Sequence, residues 1–171
     1  AADAPLRPVF GFRGASGIDG TLSIAAGLAL AHGRSTLLTG DLALLHDANG
    51  WLWRQQLSAR GAHLTVVLAD NGGGGIFEQL PIRAGRQLDF ERLFAMPQAL
   101  DHTALAAGYG VAARTISSLN QLAEALDWAA DEPMALIRLC TDRQADAALR
   151  QRCRRTMASF TNGSDGAQLL P

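Results

Sequence analysis

Hydrophobic positions along the chain fall into short runs that stop abruptly at glycine or at a polar cluster. Thr36-Leu37-Leu38-Thr39 leads into Gly40-Asp41, and Leu64-Thr65-Val66-Val67-Leu68-Ala69 leads into Asp70-Asn71-Gly72. Runs of this kind, rich in β-branched residues and bounded by turn formers, predict buried strands. Val111 to Ile116 and Met134 to Leu139 read the same way. The intervening stretches are helical in character. Thr21 to Ala31 is rich in Ala and Leu, with Ser16 or Asp19 as candidate caps and Gly33 where a C-terminal glycine cap belongs. A helix this apolar is covered on both sides, either in the layer over a sheet or at a subunit interface. Ala43 to Ser58 predicts a second helix, with Asp47 and Asn49 stabilising its start and Trp51 and Trp53 as core or interface anchors. Asp101 caps a third, to about Ala107. Ser118 to Gln121 has capping-box spacing and opens a fourth, with Leu122, Ala125, Leu126 and Ala129 on one face. Strands alternating with helices at this rhythm predict an α/β fold: a parallel sheet with helices on both faces.

Candidate chemistry sits where two of the strands end. Asp41 and Asn71 fall at the C-terminal tips of their strands, the edge at which open parallel sheets bind ligands. A carboxylate oxygen, an amide oxygen and a loop carbonyl are hard ligands that suit Mg²⁺, which completes its shell with water and substrate phosphates. Glycines beside Asp41 and at 72–75 let backbone N–H groups approach phosphate oxygens and let carbonyls turn inward. The alternative is a flexible loop with Asp41 as a helix cap. Either motif alone favours that alternative; the two together, each after a strand, reverse the preference to a Mg²⁺-bridged diphosphate site.

Composition narrows the classes. The 171 residues suffice for one domain with a full core, and 48% hydrophobic with 18% charged residues is ordinary for a globular protein. A net charge of −1 gives no footprint for nucleic acid, and no apolar run reaches the ~20 residues of a bilayer span. The start, Ala1-Ala2-Asp3-Ala4-Pro5, lacks the basic and apolar regions of a signal peptide. Two cysteines make no disulfide framework, which fits a reducing, cytoplasmic setting; Cys140 is expected in the core and Cys153 as an inert surface thiol. The four histidines are scattered without metal-ligand spacing. Residues 1–12 read as an incoming linker, 13–150 as the globular domain, and 151–171 as a polar tail whose last residues are disordered.

Gly40-Asp41, a helix, a strand, then Asn71-Gly72 resembles the motif of thiamine-diphosphate (ThDP) enzymes of the decarboxylase type. Within that group Phe12-Arg13-Gly14-Ala15-Ser16-Gly17-Ile18-Asp19-Gly20 closely resembles a signature of the 2-succinyl-5-enolpyruvyl-6-hydroxy-3-cyclohexene-1-carboxylate (SEPHCHC) synthases of menaquinone and phylloquinone biosynthesis. Asn71 to Phe77 and Met96-Pro97-Gln98 look like the same family, and the resemblance runs from about Val9 to Arg143. Members of that family are much longer and carry this region at the C-terminal end, so the chain is expected to be a fragment, the ThDP-diphosphate-binding domain.

The resemblance implies roles. Asp41, the side chain of Asn71 and the carbonyl of Gly73 would ligate Mg²⁺ (Mn²⁺ as a substitute), while Gly40 and the backbone N–H groups of Leu42 and Ala43 would meet the diphosphate. Leu42 stands where more distant relatives have Gly. Ile18 would be the wedge that keeps ThDP folded, the carbonyl of Ser16 would face its aminopyrimidine, and Ile76 would complete the cofactor contacts. Plain core packing is the alternative for Ile18. Arg13 would face carboxylated substrates, with a surface salt bridge as its alternative, and Phe77 and Leu80 would line the substrate pocket. Asp70 replaces an Asn common in the family, either adding charge near Mg²⁺ or facing solvent. The implied activity is decarboxylation of 2-oxoglutarate and addition of the four-carbon unit to isochorismate, in a homodimer or homotetramer. The activating Glu belongs to a pyrimidine-binding domain, normally a partner subunit's, so no catalytic residue is expected within this chain. The alternatives are another ThDP decarboxylase or acetolactate-synthase-type enzyme, or a non-catalytic diphosphate-binding module.

Overall fold

A computed structural model describes residues 8–11, 17–84 and 88–163. Its centre is a four-stranded, all-parallel sheet: β1 (Arg34–Gly40), β2 (His63–Asp70), β3 (Ala112–Ile116) and β4 (Met134–Cys140), in spatial order β1-β2-β4-β3. The helices are α1 (Thr21–His32), α2 (Asp41–His46), α3 (Arg54–Arg60), α4 (His102–Gly108), α5 (Leu122–Ala129) and α6 (Arg143–Gly163). From β1 to β3 the chain steps in one direction across the sheet, and from β3 to β4 it steps back. Right-handed crossovers then put α3 and α4 on one face and α5 on the other.

Burial follows that division. On one face Leu64, Val66, Leu68, Met134 and Leu136 pack with Leu22, Ala25, Ala26 and Ala29 of α1, Leu57 of α3 and Ala106 of α4. On the other, Ala135 and Ile137 pack with Ala125 and Ala129 of α5, while Leu122 and Leu126 close the edge. The expected apolar face of α5 is therefore its packing face. The expected fold, a parallel sheet with helices on both faces, is the one observed. α1 is a covering helix, and β1, at the sheet edge, leaves its other side open: Leu38 is 74% exposed.

Several element boundaries differ from the sequence expectation for local reasons. The helix expected over Ala43 to Ser58 is three pieces: α2, a 3-10 segment (Ala48–Trp53) and α3. Asp47 leaves the helical conformation, and its carboxylate accepts from Ser23 N (2.7 Å) and Ser23 Oγ (3.1 Å). It thereby caps α1, whose own N-cap, Gly20, offers no side chain. Asp19 does not supply that cap, and Ser16 lies outside the described residues. Gly50 follows, with the Leu22 side chain so close that a Cβ would sit 2.9 Å from Leu22 Cγ. Asn49 accepts from Tyr109 Oη (2.9 Å) instead of supporting a helix start. Trp51 is fully buried and Trp53 is partly exposed.

Two further expectations need correction. Cys140 is exposed, because it is the last residue of β4, past the part of the strand that α5 covers. No break occurs at 151: α6 continues through that position to Gly163, built from helix-forming Ala, Arg and Gln and started by Asp142, whose carboxylate accepts from Ala145 N (2.7 Å). Cys153 is exposed, as expected.

Candidate functional site

The sheet register brings the two motif ends together. Gly40 pairs with Ala69, and Asp70 pairs with Cys140, so Asp41 and the Asp70-Asn71 pair leave adjacent strands at the same edge. Asp41 is only 6% exposed. Its Oδ1 accepts from Leu42 N (2.7 Å) and its Oδ2 from Gly73 N (2.7 Å), so the carboxylate links the tip of β1 to the glycine loop after β2. Burial pushes its carboxyl pKa up, these two N–H donors oppose the shift, and the adjacent Asp70 carboxyl adds to it.

Asp70 is also buried, at 8% exposure. Arg138 of β4 donates to its Oδ2 through Nε (2.7 Å) and Nη2 (2.6 Å), and Gly72 N donates to Oδ1 (3.2 Å). Burial alone would raise its pKa; the Arg138 guanidinium and the Gly72 N–H outweigh that and hold it below the usual carboxylate range. Asp70 therefore does not face solvent, and the charge it brings is neutralised by Arg138.

The loop between is tightly enclosed. Gly73 has φ +127°, and a Cβ there would lie 2.2 Å from the carbonyl oxygen of Ala95; at Gly74 it would lie 2.5 Å from that of Phe94. Gly74 N donates to Ala95 O (2.6 Å). The single-turn helix Glu91–Ala95 thus closes over the glycine loop. At Gly75 a Cβ would meet Asn71 Nδ2 at 2.5 Å, so only glycine leaves room for that amide. Phe77 meets Phe94 edge-on at 5.9 Å.

Asn71 Oδ1 is buried and has no hydrogen-bond partner among the described residues. A buried amide oxygen normally has one, and this one lies one residue from Asp70 and two from Gly73, the partners of Arg138 and Asp41. Asp41 retains lone pairs on both oxygens, and the Gly73 carbonyl, accepting from Gly75 N (2.8 Å), retains one. An unsatisfied amide oxygen, on a loop tied through Gly73 N to a carboxylate made unfavourable by burial, belongs to the donor set a hard cation satisfies, so these residues fit Mg²⁺. Among the described residues no three His, Cys, Asp or Glu side chains come together, which leaves amide and carbonyl oxygens to complete such a shell.

The other expected residues divide. Leu42 N is already engaged by Asp41. Ile18, 44% exposed, precedes α1, whose start is held to the same edge through Ser23 and Asp47. Ile76 and Leu80 are exposed on the segment after the glycine loop. Arg13 and Ser16 lie outside the described residues. Sequence reasoning missed the Arg138 clamp, although an arginine inside the apolar run Leu136-Ile137-Arg138-Leu139 was its signal. It also missed Glu78, whose nearly buried carboxylate takes Arg143 (2.8 Å) and Arg83 (2.8 Å). With Arg143 also on Glu91 and Arg154 on Gln79, these contacts fasten α6 to the site segment.

The fold and these paired strand tips define a cofactor-diphosphate domain, and the chain belongs to the family described as thiamine pyrophosphate enzyme, C-terminal TPP binding domain, whose model matches residues 5–138. Thiamine pyrophosphate is ThDP under its other name. Among curated proteins the chain is similar to SEPHCHC synthases. It is 59% identical over 150 residues to that of Synechococcus sp. (strain RCC307), covering 86% of this chain and 25% of that one. It is 50% identical over 149 residues to that of Prochlorococcus marinus (strain MIT 9313), covering 86% and 25%. The chain thus spans about a quarter of the length of these relatives. Among solved structures it resembles benzoylformate decarboxylase from Polynucleobacter necessarius, with TM-score 0.60 and 21% identity over 71% of this chain and 23% of that one. The Rhodococcus jostii RHA1 thiamine diphosphate-dependent 4-hydroxybenzoylformate decarboxylase gives TM-score 0.58 at 21% identity, with the same coverage. These two likenesses concern the fold.

Proposed function

We propose that the polypeptide containing this domain is a ThDP- and Mg²⁺-dependent SEPHCHC synthase, which decarboxylates 2-oxoglutarate and adds the succinic-semialdehyde unit to isochorismate in menaquinone or phylloquinone biosynthesis. The observation that carries the site is the buried Asn71 Oδ1, without a partner among the described residues, on the loop whose Gly73 N–H is held by Asp41. The synthase reading is supported by the Arg13-to-Gly20 signature and by the similarity to SEPHCHC synthases.

Asp41, Asn71 Oδ1 and the Gly73 carbonyl hold Mg²⁺ in this reading, and Mn²⁺ substitutes. The backbone at Gly40 to Ala43 faces the diphosphate; Leu42 N, held by Asp41 in this structure, does so only by exchanging that partner. ThDP supplies the electron sink for the carbanion-like carbon left by decarboxylation. Ile18, Ile76 and the Ser16 carbonyl orient it, Arg13 pairs with substrate carboxylate, and Phe77 and Leu80 exclude water. A guanidinium suits that task because its planar fork matches a carboxylate in bidentate fashion. The pyrimidine-binding domain of a partner subunit brings the activating Glu, so the active form is a homodimer or homotetramer in the cytoplasm.

Calorimetry with the full-length polypeptide, titrating ThDP and ADP separately in Mg²⁺, tests the cofactor assignment. ThDP is expected to bind and ADP not; preference for ADP rejects it. Arg13→Ala is expected to keep ThDP affinity while raising the KM for a carboxylated substrate; loss of ThDP affinity instead would make Arg13 a cofactor residue.

A further inference from the structure

Asp70 and Arg138 lie beside the cation ligands without belonging to the set proposed above. The Asp70 carboxylate accepts from two partners: Arg138, which places both Nε and Nη2 on Oδ2, and Gly72 N, which reaches Oδ1. The first contact uses up its charge. The second makes Asp70 the anchor of the turn that carries Asn71 and leads to Gly73 N, the donor to Asp41. Arg138 comes from β4, the strand paired with β2, so the anchor is fixed by the sheet and not by the loop.

We propose that Asp70, clamped by Arg138, is a positioning residue for the cation: it aims Asn71 Oδ1 and Gly73, and it masks a guanidinium that would otherwise repel a divalent ion at Asp41. This rests on the Mg²⁺–ThDP reading. A bare guanidinium so close to the site would oppose a cation by direct Coulomb repulsion in a poorly solvated corner. Carboxylates that hold metal ligands in place change affinity strongly when removed. The two parts of the role separate by substitution. Asn at position 70 keeps an acceptor for Gly72 N but exposes the Arg138 charge, and neutralising Arg138 as well removes that charge.

The test is Mn²⁺ binding to the full-length polypeptide, with ThDP present, followed by electron paramagnetic resonance of free Mn²⁺. Asp70→Asn is expected to weaken Mn²⁺ binding by about ten- to a hundredfold, and Asp70→Asn/Arg138→Gln to recover most of the loss. A residue of purely structural importance gives no such recovery. Arg138→Lys keeps the charge but loses the two-pronged grip on Oδ2, and is expected to weaken binding even if Asp70→Asn does not fold. Unchanged affinity in the folded single variants, or a double variant no better than Asp70→Asn, overturns the inference while leaving the cofactor reading intact. A wild-type protein that binds neither Mn²⁺ nor ThDP overturns both.

Discussion

At the scale of single residues, the candidate site depends on a few buried oxygen atoms. Asp41 is a carboxylate kept from water, and Asn71 Oδ1 an acceptor without a donor among the described residues. Asp41→Ala in the full-length polypeptide is expected to abolish activity through loss of Mg²⁺–ThDP binding; unchanged ThDP affinity by calorimetry would remove Asp41 from the ligand set. Gly73→Ala places a Cβ against the Ala95 carbonyl in a conformation L-residues avoid. It is expected to cost about 1–3 kcal/mol of stability, read by urea denaturation; an unchanged midpoint would mean that the loop relaxes freely. Asp41 and Asn71 were legible in the sequence because each ends an apolar run. The Asp70–Arg138 clamp was not, because the two residues are 68 positions apart and only the strand order brings them together.

At the scale of elements, caps decide where helices begin. Asp101 was legible as a cap from position alone, and it accepts from Thr103 N (2.8 Å) and Ala104 N (3.1 Å). The Thr103 hydroxyl, then these N–H groups, hold its carboxyl below the ordinary value of a free aspartate. Its stabilising contribution is therefore fully present above that value and is lost as pH falls through the lowered one. Thermal melts of wild type and Asp101→Asn should accordingly converge toward acid pH; a constant difference would show that ionisation plays no part. Asp47 was misread as support for its own helix because its actual partner, Ser23, is 24 positions away. Asp47→Ala is expected to cost about 0.5–2 kcal/mol through loss of the α1 cap. No change in the urea midpoint would show that water replaces it. The long helix expected after Asp41 failed for the same reason: the apolar pattern was right, but Asp47 and Gly50 answer to α1 and not to their neighbours.

At the scale of the molecule, the sheet and its covering helices were legible because runs ending in glycine recur at a βα rhythm. The strand order was not, since nothing in the pattern fixes that β4 inserts between β2 and β3. Among the described residues no helix is long and apolar enough to cross a membrane. Ile18, Ile76 and Leu80 are exposed in this chain, as apolar residues at a shared site would be before a partner domain covers them. The full-length polypeptide is therefore expected to sediment as a dimer or tetramer while active; an active monomer would contradict a shared site.

Isochorismate consumption by the full-length polypeptide, in the presence of 2-oxoglutarate, ThDP and Mg²⁺, tests the central claim most directly. The account predicts consumption that stops when any one of the three additions is withheld. Isochorismate left intact by a protein that binds Mg²⁺–ThDP would contradict the synthase assignment, and would point to another decarboxylase built on the same domain.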